Sequence, residues 1–207
     1  MPLHFLVEKR VLLYILLDLY ILSKMRTEKR WKETIQQKVI NRLFSPRLAK
    51  DLKVLKLSPV YENESRYFYS SGKETGKTVY ACRMLLGFEK KAYLTSTPIS
   101  TSFLPVVDLT NELKHSFDTA GESEIDILRK YQTVDVLVLD DLGTNKMSDW
   151  MYHVLYSLIN YRYENLKTTL ITSNHSLVDL EQAWGDDRIT SRIQRMCRIV
   201  KKEKYEE

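Results

Sequence analysis

The sequence predicts an α/β fold in which a parallel sheet is flanked by helices, and three observations carry that expectation. Along residues 60–200, short runs rich in β-branched and aromatic residues alternate with helix-like stretches, the pattern of parallel strands joined by crossover helices. The run Val136-Leu137-Val138-Leu139 is apolar without interruption, as a strand buried on both faces requires. The stretch Ser70-Ser71-Gly72-Lys73-Glu74-Thr75-Gly76-Lys77-Thr78 separates the apolar Tyr67-Phe68-Tyr69 from a helix-like run, Lys77 to Leu86. A strand, a tight glycine-containing turn and a helix in that order are the layout of a phosphate-binding loop.

The chemistry of that loop is local. Backbone N–H groups at a helix N-terminus are unpaired and point one way, and the helix dipole favours an anion there. Lys77 would reach the β- and γ-phosphates of a nucleotide, and the Thr78 hydroxyl would ligate Mg²⁺. Gly76 lets the backbone curl where a Cβ would intrude. Gly72, Glu74, Thr75, Gly76, Lys77 and Thr78 are thus the candidate contacts to ATP. Ser71 stands where the full signature has glycine, with Gly72 supplying flexibility one position along. Glu74 sets a carboxylate beside the phosphates, which lowers the affinity expected of the loop. Taken alone, the stretch also fits an ordinary turn capping a helix.

Strands are expected near 66–70, 92–96, 134–140, 168–173 and 197–200, and helices near 77–87, 105–118, 123–132, 148–165 and 186–195. The clearest helix starts at Ser148 as N-cap. Trp150, Met151, Val154, Leu155, Leu158 and Ile159 follow it as one apolar stripe at helical spacing. Asp140 and Asp141 end the buried strand, at the edge where open parallel sheets bind ligands. Asp140 would hold Mg²⁺ through water, and Asp141 would polarise an attacking water. Unpaired carboxylates beside a core are costly, so a purely structural origin would need a turn or helix cap that uses one of them.

Charge divides the chain. Residues 1–60 hold 13 Lys and Arg against 5 Asp and Glu, a net of +8, whereas the remainder has a net of −3. The basic front suggests an anionic partner, for which nucleic acid is the usual candidate. Between Arg26 and Lys56, Trp31, Ile35, Val39, Ile40 and Leu43 fall on one helical face. Lys29, Arg30, Lys32, Lys38 and Arg42 fall on the others, either as a solvated face or as a DNA-contacting patch. Ser45-Pro46 should end that helix. Ahead of it, Val11 to Leu22 is apolar apart from Asp18, and too short to cross a bilayer. It fits a packed or partner-binding helix, a membrane-surface helix, or an extension upstream of a start at Met25. Leu57-Ser58-Pro59 marks a linker, giving a basic helical region over 1–57 and a nucleotide-binding core over 58–207. Hydrophobic residues make up 43% of the chain, ample for a core. Two cysteines, Cys82 and Cys197, lie in apolar runs and suggest no disulfide framework, consistent with a reducing cytoplasmic setting. A plastid stroma or a phage-infected cytoplasm is compatible with the same observation.

Four stretches together carry a resemblance. They are Val136-Leu137-Val138-Leu139-Asp140-Asp141-Leu142-Gly143, the helix from Val154-Leu155-Tyr156 through Asn160-Tyr161-Arg162-Tyr163-Glu164-Asn165, then Thr172-Ser173-Asn174, and Asp187-Arg188-Ile189-Thr190-Ser191-Arg192. The chain resembles, over roughly residues 60–200, the AAA+ P-loop NTPases of the DnaC-type helicase-loader and IstB-type transposition-helper group. These belong to the additional-strand (ASCE) class. The resemblance implies an ATPase that assembles through ATP at subunit interfaces and delivers a replicative helicase hexamer onto single-stranded DNA, with no membrane partner. By position, Lys77 and Thr78 match Walker A, Asp140 and Asp141 match Walker B, and Asn174 matches sensor 1. Arg192 matches an arginine finger acting on a neighbour's γ-phosphate, with Arg188 the second choice. A surface salt-bridge role competes for both arginines. Only seven residues follow Val200, so no C-terminal helical lid is expected. Two further readings stand beside the loader: a transposition helper working on duplex DNA, and a nucleotide-gated scaffold with little turnover, which Glu74 favours.

Overall fold

The computed structural model describes residues 19–54, 62–71, 75–118, 123–144 and 147–202. Five strands form one wholly parallel sheet: β1 (Ser65–Tyr69), β2 (Thr101–Pro105), β3 (Val136–Leu142), β4 (Thr168–Ser173) and β5 (Cys197–Lys201). Their order is β2-β3-β4-β1-β5. β4 therefore lies between β1, which feeds the glycine loop, and β3, which carries the two aspartates. This is the P-loop NTPase-like arrangement of the additional-strand class.

Alternation along β3 accounts for the layering. Leu137 and Leu139 face one cluster, with Leu109 and Leu113 of α5 (Val106–Asp118), Ile127 and Tyr131 of α6 (Glu124–Thr133) and Leu155 and Leu158 of α7 (Asp149–Glu164). Val136 and Val138 face the other, with Ala81, Cys82, Met84 and Leu85 of α4 (Lys77–Thr95). Two short helices complete the core after β4: α8 (Leu177–Trp184) and α9 (Arg188–Met196).

The N-terminal part is helical and packs on this second face. Helix α1, over 19–30, runs through a π-helical turn, Trp31–Ile35, into α2 (Gln36–Leu43), and α3 spans Pro46–Val54. Trp31, Val39, Ile40 and Phe44 are buried against α4, each side chain contributing about 1.5–3 kcal/mol of apolar burial. Trp31 lies 5.6 Å from the Tyr93 ring, centroid to centroid, and Phe44 lies 5.4 Å from Phe103. Ion pairs Lys90–Glu28 at 2.6 Å and Arg42–Glu89 at 2.5 Å fasten the two ends. Helix α4 is thus covered on both sides, which is why so much of its length is apolar. Arg30, Lys32 and Lys38 remain exposed on the outer surface.

The structure corrects one strand. Residues 92–96 continue α4, which ends at Ser96 in a left-handed conformation with its N–H bonded to Tyr93 O. Ala92-Tyr93-Leu94 has the apolar content of a strand but keeps helical phase with the preceding turns. The second strand lies further on, at Thr101–Pro105, where a single buried residue, Leu104, gave little signal. Proline at 46 ends the first helical run as expected but also opens α3, because its missing N–H costs nothing at a first helical position. Ser148 caps α7 as expected, accepting from Met151 N at 3.2 Å. Leu57-Ser58-Pro59 and residues 1–18 lie outside the described residues. No described helix is long and apolar enough to cross a membrane.

At the edge of the sheet opposite the aspartates, Asp135 ties three strand entrances together. Its carboxylate accepts from Ser100 N at 3.0 Å, Ser100 Oγ at 2.8 Å and Lys167 Nζ at 3.0 Å. The backbone bond from Ser100 is the main reason its pKa falls to about 2. A depressed carboxylate pKa stabilises the fold above the unfolded value and loses that contribution as pH falls through the folded one. Asp135 is half exposed, so screening limits the gain to about 1 kcal/mol. Urea midpoints measured from pH 5 to pH 3 should fall more steeply in wild type than in Asp135→Asn, and equal slopes would refute the assignment.

Candidate nucleotide-binding site

The site is built where β1, β3 and β4 end. Gly76 caps α4 with φ of 73°, a left-handed conformation open to glycine at little cost. This turn directs Lys77 back over the sheet. The Lys77 ammonium donates to Ser70 Oγ at 2.8 Å and Thr75 Oγ1 at 3.2 Å. Lys77 is only 6% exposed, and burial lowers its pKa, opposed by the charges of Asp141 and then Asp140. A desolvated cation at a helix N-terminus is an electrostatic seat for an anion.

Thr78 joins the glycine loop to β3. Its hydroxyl donates to Asp140 Oδ1 at 2.9 Å, and the Thr172 hydroxyl of β4 donates to the same oxygen at 2.6 Å. Asp140 is buried, and that burial is the main reason its pKa rises. Two hydroxyl donors and the nearby Lys77 charge act in the opposite direction. Three segments far apart in sequence therefore meet at one carboxylate.

The register of β3 against β4 slips between Leu139 and Leu142, which pair with Ile171 and Ser173 respectively. Asp141 sits in this bulge with φ of 59°. Its N–H donates to Thr172 Oγ1 at 3.0 Å instead of to a neighbouring strand carbonyl. A non-glycine residue held left-handed in a bulge is a local cost of the kind found where a side chain is re-aimed. Here the slip leaves Asp140 inward, at the threonines, and Asp141 exposed. Gly143 closes the turn at φ of 83°, where a Cβ would stand 2.4 Å from Leu180 Cδ2.

The turn after β4 is equally fixed. Ser173 Oγ donates to Leu142 O at 2.7 Å and accepts from His175 N at 3.0 Å, while the Tyr67 hydroxyl donates to His175 O at 2.7 Å. Asn174 is held between these anchors. A cavity of about 410 Å³ is lined by Thr75, Gly76, Lys77, Thr78, Val79, Asp141, Thr144 and Asn174.

Of the residues expected at the site, the structure brings together Thr75, Gly76, Lys77, Thr78, Asp140, Asp141 and Asn174. Gly72 and Glu74 lie outside the described residues. Arg192 stands apart on α9: its guanidinium donates to Asn160 Oδ1, the Tyr156 hydroxyl and Arg188 O. Arg188 pairs with Asp186 at 2.7 Å and lies 5.2 Å from the Tyr156 ring centroid. Sequence reasoning gave no separate part to Ser70, Thr144 or Thr172. Thr172 had a legible signal, being a hydroxyl at the end of a buried strand beside a buried carboxylate. Among the described residues, no group of three or more His, Cys, Asp or Glu forms a metal cluster.

Comparison with known proteins gives a consistent picture. The chain is 36% identical over 104 residues to the uncharacterized protein YqaM of Bacillus subtilis (strain 168), a stretch covering 46% of this chain and 30% of YqaM. Over 94 residues it is 24% identical to the replicative helicase loader DnaC of Escherichia coli (strain K12), covering 45% of this chain and 38% of DnaC. It thus matches well under half the length of either curated relative. Among solved structures, that of the DnaC helicase loader superposes with a TM-score of 0.57 at 31% identity, over 76% of this chain and 89% of the other. AMPPCP-bound DnaA from Aquifex aeolicus shares the fold, with a TM-score of 0.53 at 19% identity over 79% of this chain and 49% of that one. The model of the IstB-like ATP binding proteins (IstB_IS21) matches residues 21–204, a span that takes in the N-terminal helices as well as the sheet. The chain belongs to that family, as an AAA+ ATPase domain of the DnaC/IstB type.

Proposed function

We propose that this protein binds and hydrolyses ATP and uses that cycle to load a replicative helicase hexamer onto single-stranded DNA, in the cytoplasm. The observation that carries the nucleotide reading is the Thr78–Asp140 hydrogen bond. It joins the glycine loop to the acidic strand beside a cavity that Lys77, Asp141 and Asn174 also line. In this reading Lys77 binds the β- and γ-phosphates, Asp141 takes a proton from the attacking water, and Asn174 orients that water. Gly72, Glu74, Thr75 and Gly76 form the rest of the phosphate cradle. The Thr78 hydroxyl and Asp140 carboxylate are hard oxygen donors of the kind Mg²⁺ accepts, and they would hold the ion. Bound there, it would neutralise charge on the β- and γ-phosphates.

The loader reading is supported by the likeness to the DnaC helicase loader. The exposed basic residues Arg30, Lys32 and Lys38 offer a surface to DNA phosphates. In the same reading residues 1–57 contact partners and 58–207 form the engine. A second reading, a transposition helper on duplex DNA, is favoured by the family model that the chain matches. Affinity pull-down with the bound proteins identified, run with and without ATP, separates the two. A loader captures a replicative helicase hexamer and its ATPase rises with single-stranded DNA. A helper responds to duplex DNA and a transposase.

Asp141→Asn tests turnover itself. Asparagine tolerates the left-handed backbone but is a far weaker proton acceptor. Expected is a fall in kcat of about 100-fold, with MgATP affinity by calorimetry within about twofold of wild type. Unchanged biological activity in this variant would instead favour a nucleotide-gated scaffold.

A further inference from the structure

Arg188 and Arg192 lie one turn apart on α9, yet their surroundings differ. Asp186 engages Arg188 three ways. Its Oδ1 accepts from Arg188 N at 2.8 Å, its Oδ2 accepts from Arg188 Nε at 2.9 Å, and Arg188 Nη2 lies 2.7 Å from Oδ2. The Tyr152 hydroxyl donates to the same carboxylate at 2.6 Å. The charge of Arg188 is neutralised within its own turn.

Arg192 is held just as firmly, but only by neutral groups. Nε donates to Asn160 Oδ1 at 2.6 Å, Nη2 to the Tyr156 hydroxyl at 3.0 Å and Nη1 to Arg188 O at 2.8 Å. The Tyr156 ring lies 4.7 Å from the guanidinium carbon. Among the described residues no carboxylate pairs with it. A guanidinium carries five N–H groups, so three bonds leave one N–H on each terminal nitrogen. Those two N–H groups suffice to meet two oxygens of a phosphate. The side chain is only partly exposed and does not line its own nucleotide cavity. A cation fixed by neutral partners, uncompensated in charge and outside its own cavity is arranged for an anion on another molecule.

We infer that Tyr156 and Asn160 of α7 are positioning residues, which hold the Arg192 guanidinium in place for the γ-phosphate of ATP bound by a second copy of this chain. Asp186 at the same time withdraws Arg188 from that task. The inference rests on the nucleotide reading above and adds what aims the arginine. Tyr156→Phe keeps the ring and removes only the hydroxyl. Asn160→Leu keeps the size and removes the acceptor.

The test uses the full-length chain, with self-association measured by sedimentation in MgATP and in MgADP, and turnover measured beside it. Each variant should lower kcat about 10- to 100-fold and shrink the ATP-over-ADP gain in self-association several-fold. MgATP affinity and Tm should stay near wild type, which a merely structural role would not give. Mixing Arg192→Ala with Lys77→Ala should restore turnover, because each supplies what the other lacks across the interface. If Arg192→Ala abolishes turnover while Tyr156→Phe and Asn160→Leu leave it intact, the positioning inference falls and the finger survives. If Arg192→Ala is itself neutral, or mixing restores nothing, the finger reading falls. Loss of single-stranded DNA affinity with ATP-dependent assembly unchanged would assign the guanidinium to a nucleic-acid phosphate and overturn the proposal.

Discussion

Replacing Lys77 by alanine should raise the dissociation constant for MgATP by about 100- to 10⁴-fold, taking two charge-assisted phosphate contacts at about 1.5–3 kcal/mol each. The expectation follows from where the ammonium sits. It is buried, tethered by Ser70 and Thr75, and kept below the ordinary lysine pKa by desolvation. A cation held there without phosphate costs the free protein stability, so Lys77→Ala should lose nucleotide without losing the fold. Its Tm without ATP should equal or exceed that of wild type. The pH dependence has a definite sign. Lys77 gives up its proton at a lower pH than free lysine, and the neutral amine attracts phosphate weakly. Wild-type affinity for MgATP should therefore decline on the alkaline side, a decline that the alanine variant, already weak, lacks. Calorimetric titration at several pH values settles both points. Affinity unchanged in Lys77→Ala would remove the ligand from this cavity altogether.

Much of this site was legible because its motifs carry their own physics. A glycine before Lys77 and Thr78, after an apolar run, fixes a helix N-terminus facing a strand end. Four apolar residues before Asp140 and Asp141 fix a buried strand ending in charge. The order of strands follows once β4 is placed between them. What the chain concealed arises from tertiary context. The burial of Asp140 beside an exposed Asp141 depends on a slipped register and a positive φ at Asp141, which adjacent aspartates do not announce. The part played by Thr172 depends on its lying across from Asp140 in β4. Residues 92–96 carried strand-like composition, yet α4 continued through them because the N-terminal helices cover its outer face as well. The short α8 escaped notice because only Leu180 is buried along it, and its capping box at Ser176 and Asp179 was a weaker signal than an apolar stripe. The resemblance ranked Arg192 ahead of Arg188, but their spacing at i and i+4 did not, and their partners, Asp186 for one and Asn160 with Tyr156 for the other, now separate them.

Arg162 of α7 carries no expected role at the nucleotide site, yet its substitution should cost the fold several kcal/mol. Its side chain is fully buried within α7. Nε donates to Thr169 Oγ1 at 2.9 Å, Nη2 to Thr168 O at 2.6 Å, and Nη1 reaches Tyr131 O at 2.9 Å, Val134 O at 2.8 Å and Gln132 O at 3.2 Å. These carbonyls belong to the C-terminal end of α6, the residues after it and the start of β4, places where backbone acceptors lack ladder or helix partners. Burial pulls its pKa down to about 10, so it stays charged at neutral pH, with the C-terminal dipole of α6 compensating in part. Arg162→Met keeps much of the volume but leaves several buried carbonyls unsatisfied at about 1–3 kcal/mol each, for a loss of about 4 kcal/mol or more. In a domain of this size that corresponds to a Tm lower by about 8–16 °C. Arg162→Lys should recover little, because an ammonium on a flexible stem cannot address α6 and β4 together. Urea unfolding of both variants measures the loss directly. A methionine variant within about 1 kcal/mol of wild type would mean that water takes over those carbonyls, and that α6 is fastened to the sheet by apolar packing alone.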